Sequence, residues 1–167
     1  MAVQKDEQIT LQKVGQIAVI TLNRAAMRNP LSLEFKQHML PVLDEVEEDS
    51  SLCAIVLTGD GNTFCAGAEL GKVVHPDGKD GEEQFRSVRT YNQVIQRLRA
   101  HDLPVIAAVN GPAVGGGAAL ALACDFAIAS ENASYYFAFG RVGAAAADMG
   151  SQTLNHLIIG TNRTELF

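Results

Sequence analysis

Short apolar runs closed by Gly, Asn or polar residues recur along the chain, at Gln16–Leu22 (QIAVITL), Cys53–Leu57 (CAIVL), Val105–Val109 (VIAAV) and Phe126–Ala129 (FAIA). Their length and β-branched content predict buried strands. Between them the period lengthens. Phe35, Met39, Val42 and Val46 follow a 4-3-4 spacing behind Ser32, which stands where a helix N-cap belongs. Pro41 is expected to distort that helix, because it lacks an N–H and crowds the preceding turn. A second amphipathic helix is predicted over Glu83–Ala100. Phe85, Val88, Tyr91, Val94, Ile95 and Leu98 form its apolar side, with Arg86, Arg89, Arg97 and Arg99 largely outside. Gly116–Cys124 and Gly150–Ile159 are further helical segments, and His75–Gly81 (HPDGKDG) reads as a surface loop.

Strands that alternate with helices imply an α/β architecture with largely parallel pairing, since parallel neighbours need crossover connections. Composition shifts nowhere strongly enough to divide the chain, so residues 1–167 read as one domain. At this length a fold hides roughly two-thirds of the unfolded surface. Hydrophobic residues at 47% and charged residues at 19% fit an ordinary soluble fold rather than a disordered or fibrous chain.

The net charge is −6 and no run of Lys or Arg exceeds two, which removes the basic face that nucleic acid requires. An anionic ligand must be held locally, by Arg24, Arg28 and backbone amides at helix starts. Cys53, Cys65 and Cys124 are odd in number and set among apolar residues. That pattern predicts reduced core thiols in a cytosol-like compartment and suggests no metal site. MAVQKDEQIT lacks the basic-then-apolar pattern of a secretory signal, and the apolar stretches fall short of the ~20 residues a membrane span needs. A soluble, cytoplasmic protein without membrane partners is expected.

Two segments carry candidate chemistry. In Asn62–Leu70 (NTFCAGAEL) a strand gives way to a turn of small residues, and in Asn110–Asp125 (NGPAVGGGAALALACD) a strand runs into three glycines that open an Ala-rich helix. Such a junction exposes unpaired N–H groups at a partly positive helix end, a geometry that stabilises anions. Close helix packing explains the glycines equally well. The string lacks the Lys-Ser/Thr ending of a P-loop and the spacing of a dinucleotide fingerprint.

Taken together, these segments resemble the enoyl-CoA hydratase/isomerase (crotonase) family. NTFCAGAEL is similar to its F-x-A-G-A-D/E-L segment, NGPAVGGGAALALACDFAIAS to its N-G-x-A-x-G-G-G segment, and VITLNRAAMRNPLS to its opening strand and loop. The likeness runs from about Ile9 to Gly160, where family members continue into further helices. It implies a crotonase-type ββα spiral of which this chain is the N-terminal core, and a coenzyme A thioester as substrate and partner, with no cofactor besides. It also implies a homo-oligomer, trimer or hexamer. The resemblance assigns an oxyanion hole to the backbone N–H groups of Ala68 and Gly116. Substrate contacts would come from Arg24, Arg28, Ala66, Gly67, Ala68, Glu69, Leu70, Gly115 and Gly116.

Family hydratases use two glutamates, and the matching positions here are Ala119 and Phe139, neither of which moves a proton. AFGRVGAAAADMGSQTLNHLIIG resembles instead a segment of the family's isomerases, aligning Asp148 with their acidic residue. The run Ala144–Ala147 is one residue longer than that pattern, and its usual Pro is absent. An Asp before a helical run also makes a good N-cap. The expectation is an isomerase that shifts a carbon–carbon double bond through an oxyanion-stabilised enolate, with Asp148 carrying the proton. A hydratase or other lyase, a dehalogenase or hydrolase using the Asp as nucleophile, and a non-catalytic thioester-binding module are the alternatives. Glu69 and His75 are lesser acid/base candidates, Asp125 is expected to cap or orient structure, and Tyr91 to fill the core.

Overall fold

The computed structural model describes residues 8–32, 34–69 and 81–139. In chain order run β1 (Ile9–Val14), β2 (Ile17–Leu22), α1 (Phe35–Glu48), β3 (Ala54–Gly59), α2 (Gly81–Arg99), β4 (Val105–Val109), β5 (Pro112–Val114), α3 (Gly116–Leu122), β6 (Phe126–Ala129) and β7 (Ser134–Tyr136). A five-stranded sheet has the order β1-β2-β3-β4-β6, antiparallel between β1 and β2 and parallel from there on. A smaller parallel sheet pairs β5 with β7, and single bridges add Cys65 beside Ala113 and Leu31 beside Ala68. Each parallel strand of the large sheet is thus followed by a short extended segment in the small one. That is a ββα unit repeated along the chain.

The core lies between the large sheet and the two long helices. Register places Ile20, Leu57 and Ala107 in one row, all three fully buried. Phe35, Met39, Leu43 and Val46 of α1 and Tyr91, Val94, Ile95 and Leu98 of α2 close over this face. Each fully buried Leu or Ile contributes about 1.5–3 kcal/mol. Arg97 holds the helices together at their rim, its guanidinium 2.9 Å from Glu47 and also paired with Asp44. The side chains of Phe85, Arg86 and Val88 lie outside the described ones.

Several expectations need correction. Ser32 does not cap α1: Glu34 precedes the first turn without a side-chain cap, and the Ser32 hydroxyl donates to Gln8 Oε1 at 2.7 Å. Leu43 rather than Val42 completes the fully buried stripe of α1, within which Pro41 lies. The strand Phe126–Ala129 is exposed along its whole length, with Phe126 63% and Ile128 69% accessible, because it forms the edge of the sheet. Cys53 is exposed rather than in the core, whereas Cys65 and Cys124 are buried. Segments 75–80 and Gly150–Ile159 lie outside the described residues, and Gly81 begins α2. No helix among the described residues is long and apolar enough to cross a membrane.

At the start of the chain, Lys13 donates to Asp49 Oδ2 at 2.8 Å and lies 3.4 Å from Glu45. Lys13, helped by the Ser51 hydroxyl and N–H, holds the Asp49 carboxyl down at about 2 against an ordinary 3.8. A depressed carboxyl stabilises above its unfolded pKa and loses that contribution as pH falls through the folded one. Asp49→Asn is expected to lower the urea midpoint slightly at neutral pH, with the gap to wild type closing as pH falls from about 4 to about 2. The pair lies at the surface, half-exposed, so added salt should narrow the gap as well.

Candidate active site

The site grows out of two chain reversals. β3 ends at Gly59, and the chain returns through residues 60–64 into the extended segment Cys65–Ala68. β4 ends at Val109 and turns through Asn110 and Gly111 into β5. The two returning segments lie side by side: Phe64 and Cys65 N–H groups donate to Pro112 O at 3.1 and 3.2 Å, and Val114 N–H donates to Cys65 O at 2.9 Å. Gly115 then donates to Tyr136 O at 2.7 Å, which ties in β7 as α3 begins.

Two glycines set how closely these backbones approach. Gly67 has φ +81°, and a methyl on it would stand 2.5 Å from Val114 O and 3.3 Å from Gly116 N. A methyl on Gly117 would stand 2.3 Å from Cys65 O. These contacts bring the segment containing Ala68 against the start of α3. The close packing that the glycines permit is thus what sets the distance between the two segments.

The direction of the amides follows from the pairing. Leu31 donates to Gly67 O at 2.8 Å and accepts from Glu69 N–H at 3.1 Å, so Leu31 grips both neighbours of Ala68 and the Ala68 N–H points to the other side. Gly116 is the first residue of α3, where an N–H has no intrahelical partner. Neither N–H meets a protein acceptor among the described residues.

Two asparagines hold this arrangement, and sequence reasoning gave neither a role. Asn29 is 2% exposed and sits at φ +51°, next to Arg28 at φ +64°. Its Nδ2 donates to Asp60 O at 2.9 Å and Thr63 O at 2.8 Å, while its Oδ1 accepts from Arg24 N–H at 2.9 Å. Asn110 Nδ2 donates to Gly59 O and Gly61 O, both at 2.9 Å. The signal for Asn29 was present in its type, since Asn tolerates the left-handed region better than most residues.

Of the expected contact residues, Ala66, Gly67, Ala68, Gly115 and Gly116 come together. Arg24 Nη2 lies 2.8 Å from Glu69 Oε1 in a largely buried ion pair, so each charge neutralises the other beside the Ala68 segment. Arg28, whose carbonyl accepts from Ala66 N–H at 2.9 Å, lines a cleft of about 550 Å³ with Asn62, Thr63, Ala66, Asn110, Pro112, Val114 and Asn132. Ala119 is fully buried and Phe139 is 8% exposed. Burial pushes the Cys65 thiol up to about 12, too high to furnish a thiolate nucleophile at neutral pH. Asp125 Oδ2 accepts from Val105 N–H at 2.8 Å and so orients β4. Asp148, Leu70 and His75 lie outside the described residues.

A family model described as Enoyl-CoA hydratase/isomerase matches residues 12–165. The chain belongs to the enoyl-CoA hydratase/isomerase family. Among its relatives in that family, the short-chain-enoyl-CoA hydratase of Clostridium acetobutylicum is 37% identical over 151 residues, covering 90% of this chain and 57% of its own length. The 4-chlorobenzoyl coenzyme A dehalogenase-2 of an Arthrobacter species is 34% identical over 164 residues, 98% of this chain and 59% of the relative. The crystal structure of enoyl-CoA hydratase from Bacillus anthracis superposes with a TM-score of 0.85 at 31% identity, covering 95% of this chain and 61% of that one. The fold is the crotonase-type spiral that the sequence led us to expect. The chain spans between about half and three-fifths of the length of these family members.

Proposed function

We propose that this chain is the thioester-binding core of an acyl-CoA isomerase, which moves a carbon–carbon double bond through an enolate held by the Ala68 and Gly116 N–H groups. The observation that carries the reading is the approach of two amide segments across Gly67, each presenting an N–H that meets no protein acceptor among the described residues. Enolate formation next to a thioester concentrates negative charge on the carbonyl oxygen. A preorganised donor aimed at such an oxygen is worth about 3–4 kcal/mol. The cleft at Arg28 would receive the coenzyme A portion, with the guanidinium meeting its phosphates and Ala66 and Val114 flanking the arm that leads to the thioester. A trimeric or hexameric assembly belongs to the same reading and rests on family likeness, and a cytoplasmic setting belongs to it on the unpaired cysteines.

Proton transfer falls to Asp148 in this reading. Its carboxylate removes a proton from C2 of a 3-enoyl thioester, the electron pair spreads onto the thioester oxygen and C4, and the carboxyl returns the proton to C4. Support comes from the two glutamate positions of the family's hydratases, occupied here by Ala119 and Phe139. The product is a conjugated 2-enoyl thioester, so the reaction gains ultraviolet absorbance. Asp148→Asn is expected to slow that gain by at least ~100-fold, in line with the loss of a positioned acid/base group. Equal rates in both chains would remove Asp148 from the mechanism.

A second reading is dehalogenation. It is favoured by the Arthrobacter dehalogenase, whose match extends over 98% of this chain. Asp148 would then attack a haloaryl carbon para to the thioester, expel halide, and release product when water cleaves the resulting aryl ester. Chloride released from 4-chlorobenzoyl-CoA, with a trapped ester on Asp148, would decide for it. Hydration draws support from the names of several relatives, and loss of 2-enoyl absorbance on adding the chain would decide for that. Binding without turnover of any of the three would leave a thioester-binding module.

A further inference from the structure

Tyr91 was expected to be core, and it is 2% exposed, but its hydroxyl does more than fill space. It donates to Leu31 O at 3.0 Å, reaching from α2 to the peptide that flanks Ala68. Leu31 thereby takes part in three main-chain interactions at the same spot. Its N–H donates to Gly67 O at 2.8 Å, and its carbonyl accepts both from Glu69 N–H at 3.1 Å and from Tyr91. The Ala68 N–H shares its peptide with Gly67 O, which Leu31 N–H holds, and the following peptide donates its Glu69 N–H to the Leu31 carbonyl, so the tilt of Ala68 follows both peptides of Leu31, the second being the one that Tyr91 reaches. A single bond from Glu69 would leave that peptide free to tilt about the contact. A second donor arriving from a different element fixes it.

We infer that Tyr91 is a positioning residue for the Ala68 donor, acting through the Leu31 carbonyl. The inference rests on the reading of Ala68 and Gly116 as donors to a thioester oxygen. The Tyr91 ring itself is held independently, packed against Phe35 with centroids 6.4 Å apart and planes tilted by 58°. Tyr91→Phe therefore removes the hydroxyl while keeping the ring and its packing.

The test uses the full 167-residue chain and cinnamoyl-CoA, a conjugated aryl thioester whose absorbance moves to longer wavelength when its carbonyl is polarised. The wild-type chain is expected to give such a shift on binding. Tyr91→Phe should bind with a Kd within about two-fold, give less than half the shift, and turn over a 3-enoyl-CoA about ten-fold more slowly with KM little changed. A loss confined to kcat is the mark of an interaction made in the transition state. Melting temperature and near-ultraviolet circular dichroism measured on both chains separate misorientation from unfolding. A shift in Tyr91→Phe equal to wild type would overturn this inference alone, as would a loss that merely tracks the unfolded fraction. Absence of any shift in the wild-type complex would overturn the thioester-donor reading and this inference with it.

Discussion

Gly67→Ala is expected to lower turnover of a coenzyme A thioester by ~100-fold or more, the usual effect of losing one oxyanion donor. The added methyl meets Val114 O at 2.5 Å, a backbone atom that cannot rotate away. Relief requires the Cys65–Ala68 and Pro112–Val114 segments to part, which strains the bond from Val114 N–H to Cys65 O and moves the Ala68 and Gly116 amides out of common reach. The φ of +81° adds a penalty for any L side chain, about 1–2 kcal/mol. Gly115→Ala supplies the control. Gly115 also has positive φ, +52°, but a methyl there meets nothing within 4 Å. It should cost stability through backbone strain while disturbing the approach of the segments far less. Steady-state kinetics and melting temperatures of the two variants separate the contributions. Equal activity in Gly67→Ala and wild type would mean that the approach of these backbones does not set the donors.

The largest loss of stability is expected from Asn29→Asp, a change of one atom. The Asn29 amide nitrogen donates to Asp60 O and Thr63 O and lies 3.4 Å from Phe64 O, all at a site 2% exposed. A carboxylate oxygen in that place faces carbonyl oxygens, loses its donors and leaves a buried charge without compensation. Such losses run at about 3–5 kcal/mol. The sign with pH follows from the same contacts. The new carboxyl has a folded pKa raised above its unfolded value, so its penalty is greatest at neutral pH and shrinks as acid supplies a proton that one carbonyl can accept. Urea denaturation of both chains at pH 7 and pH 5 should show the gap narrowing in acid. A constant gap would place the cause in packing rather than charge.

These two sites also mark how far the residues alone could be read. Val105–Val109 and Phe126–Ala129 form strands with the limits expected, and parallel pairing followed from the alternation of elements. β1 escaped notice because its outer half is polar and exposed, and β5 and β7 because a strand of three residues carries no periodicity. The exposure of Phe126 and Ile128 depends on which strand ends the sheet, and an apolar run reads the same at an edge as in the middle. Around the candidate site, the motifs picked out the segments of Ala68 and Gly116, which the fold sets side by side. The asparagines that clamp those motifs act across separations of about thirty to fifty residues, where no local pattern connects donor to acceptor. Tyr91 fitted an apolar stripe, and that fit concealed its hydroxyl.

One consequence follows from the two donors being main-chain groups. Every amino acid except proline carries the same N–H, so an alanine scan is blind to the atoms proposed to hold the developing charge. Ala68 is already alanine, and a change at Gly116 would report the size of the new side chain rather than the loss of a donor. Under the proposed reading, side chains around the pair are free to diverge toward other acyl groups and other proton carriers while the two N–H groups stay as they are. Deleting either N–H calls for chemistry on the backbone, an amide-to-ester exchange at position 68 or 116 that replaces N–H by oxygen and leaves every side chain in place.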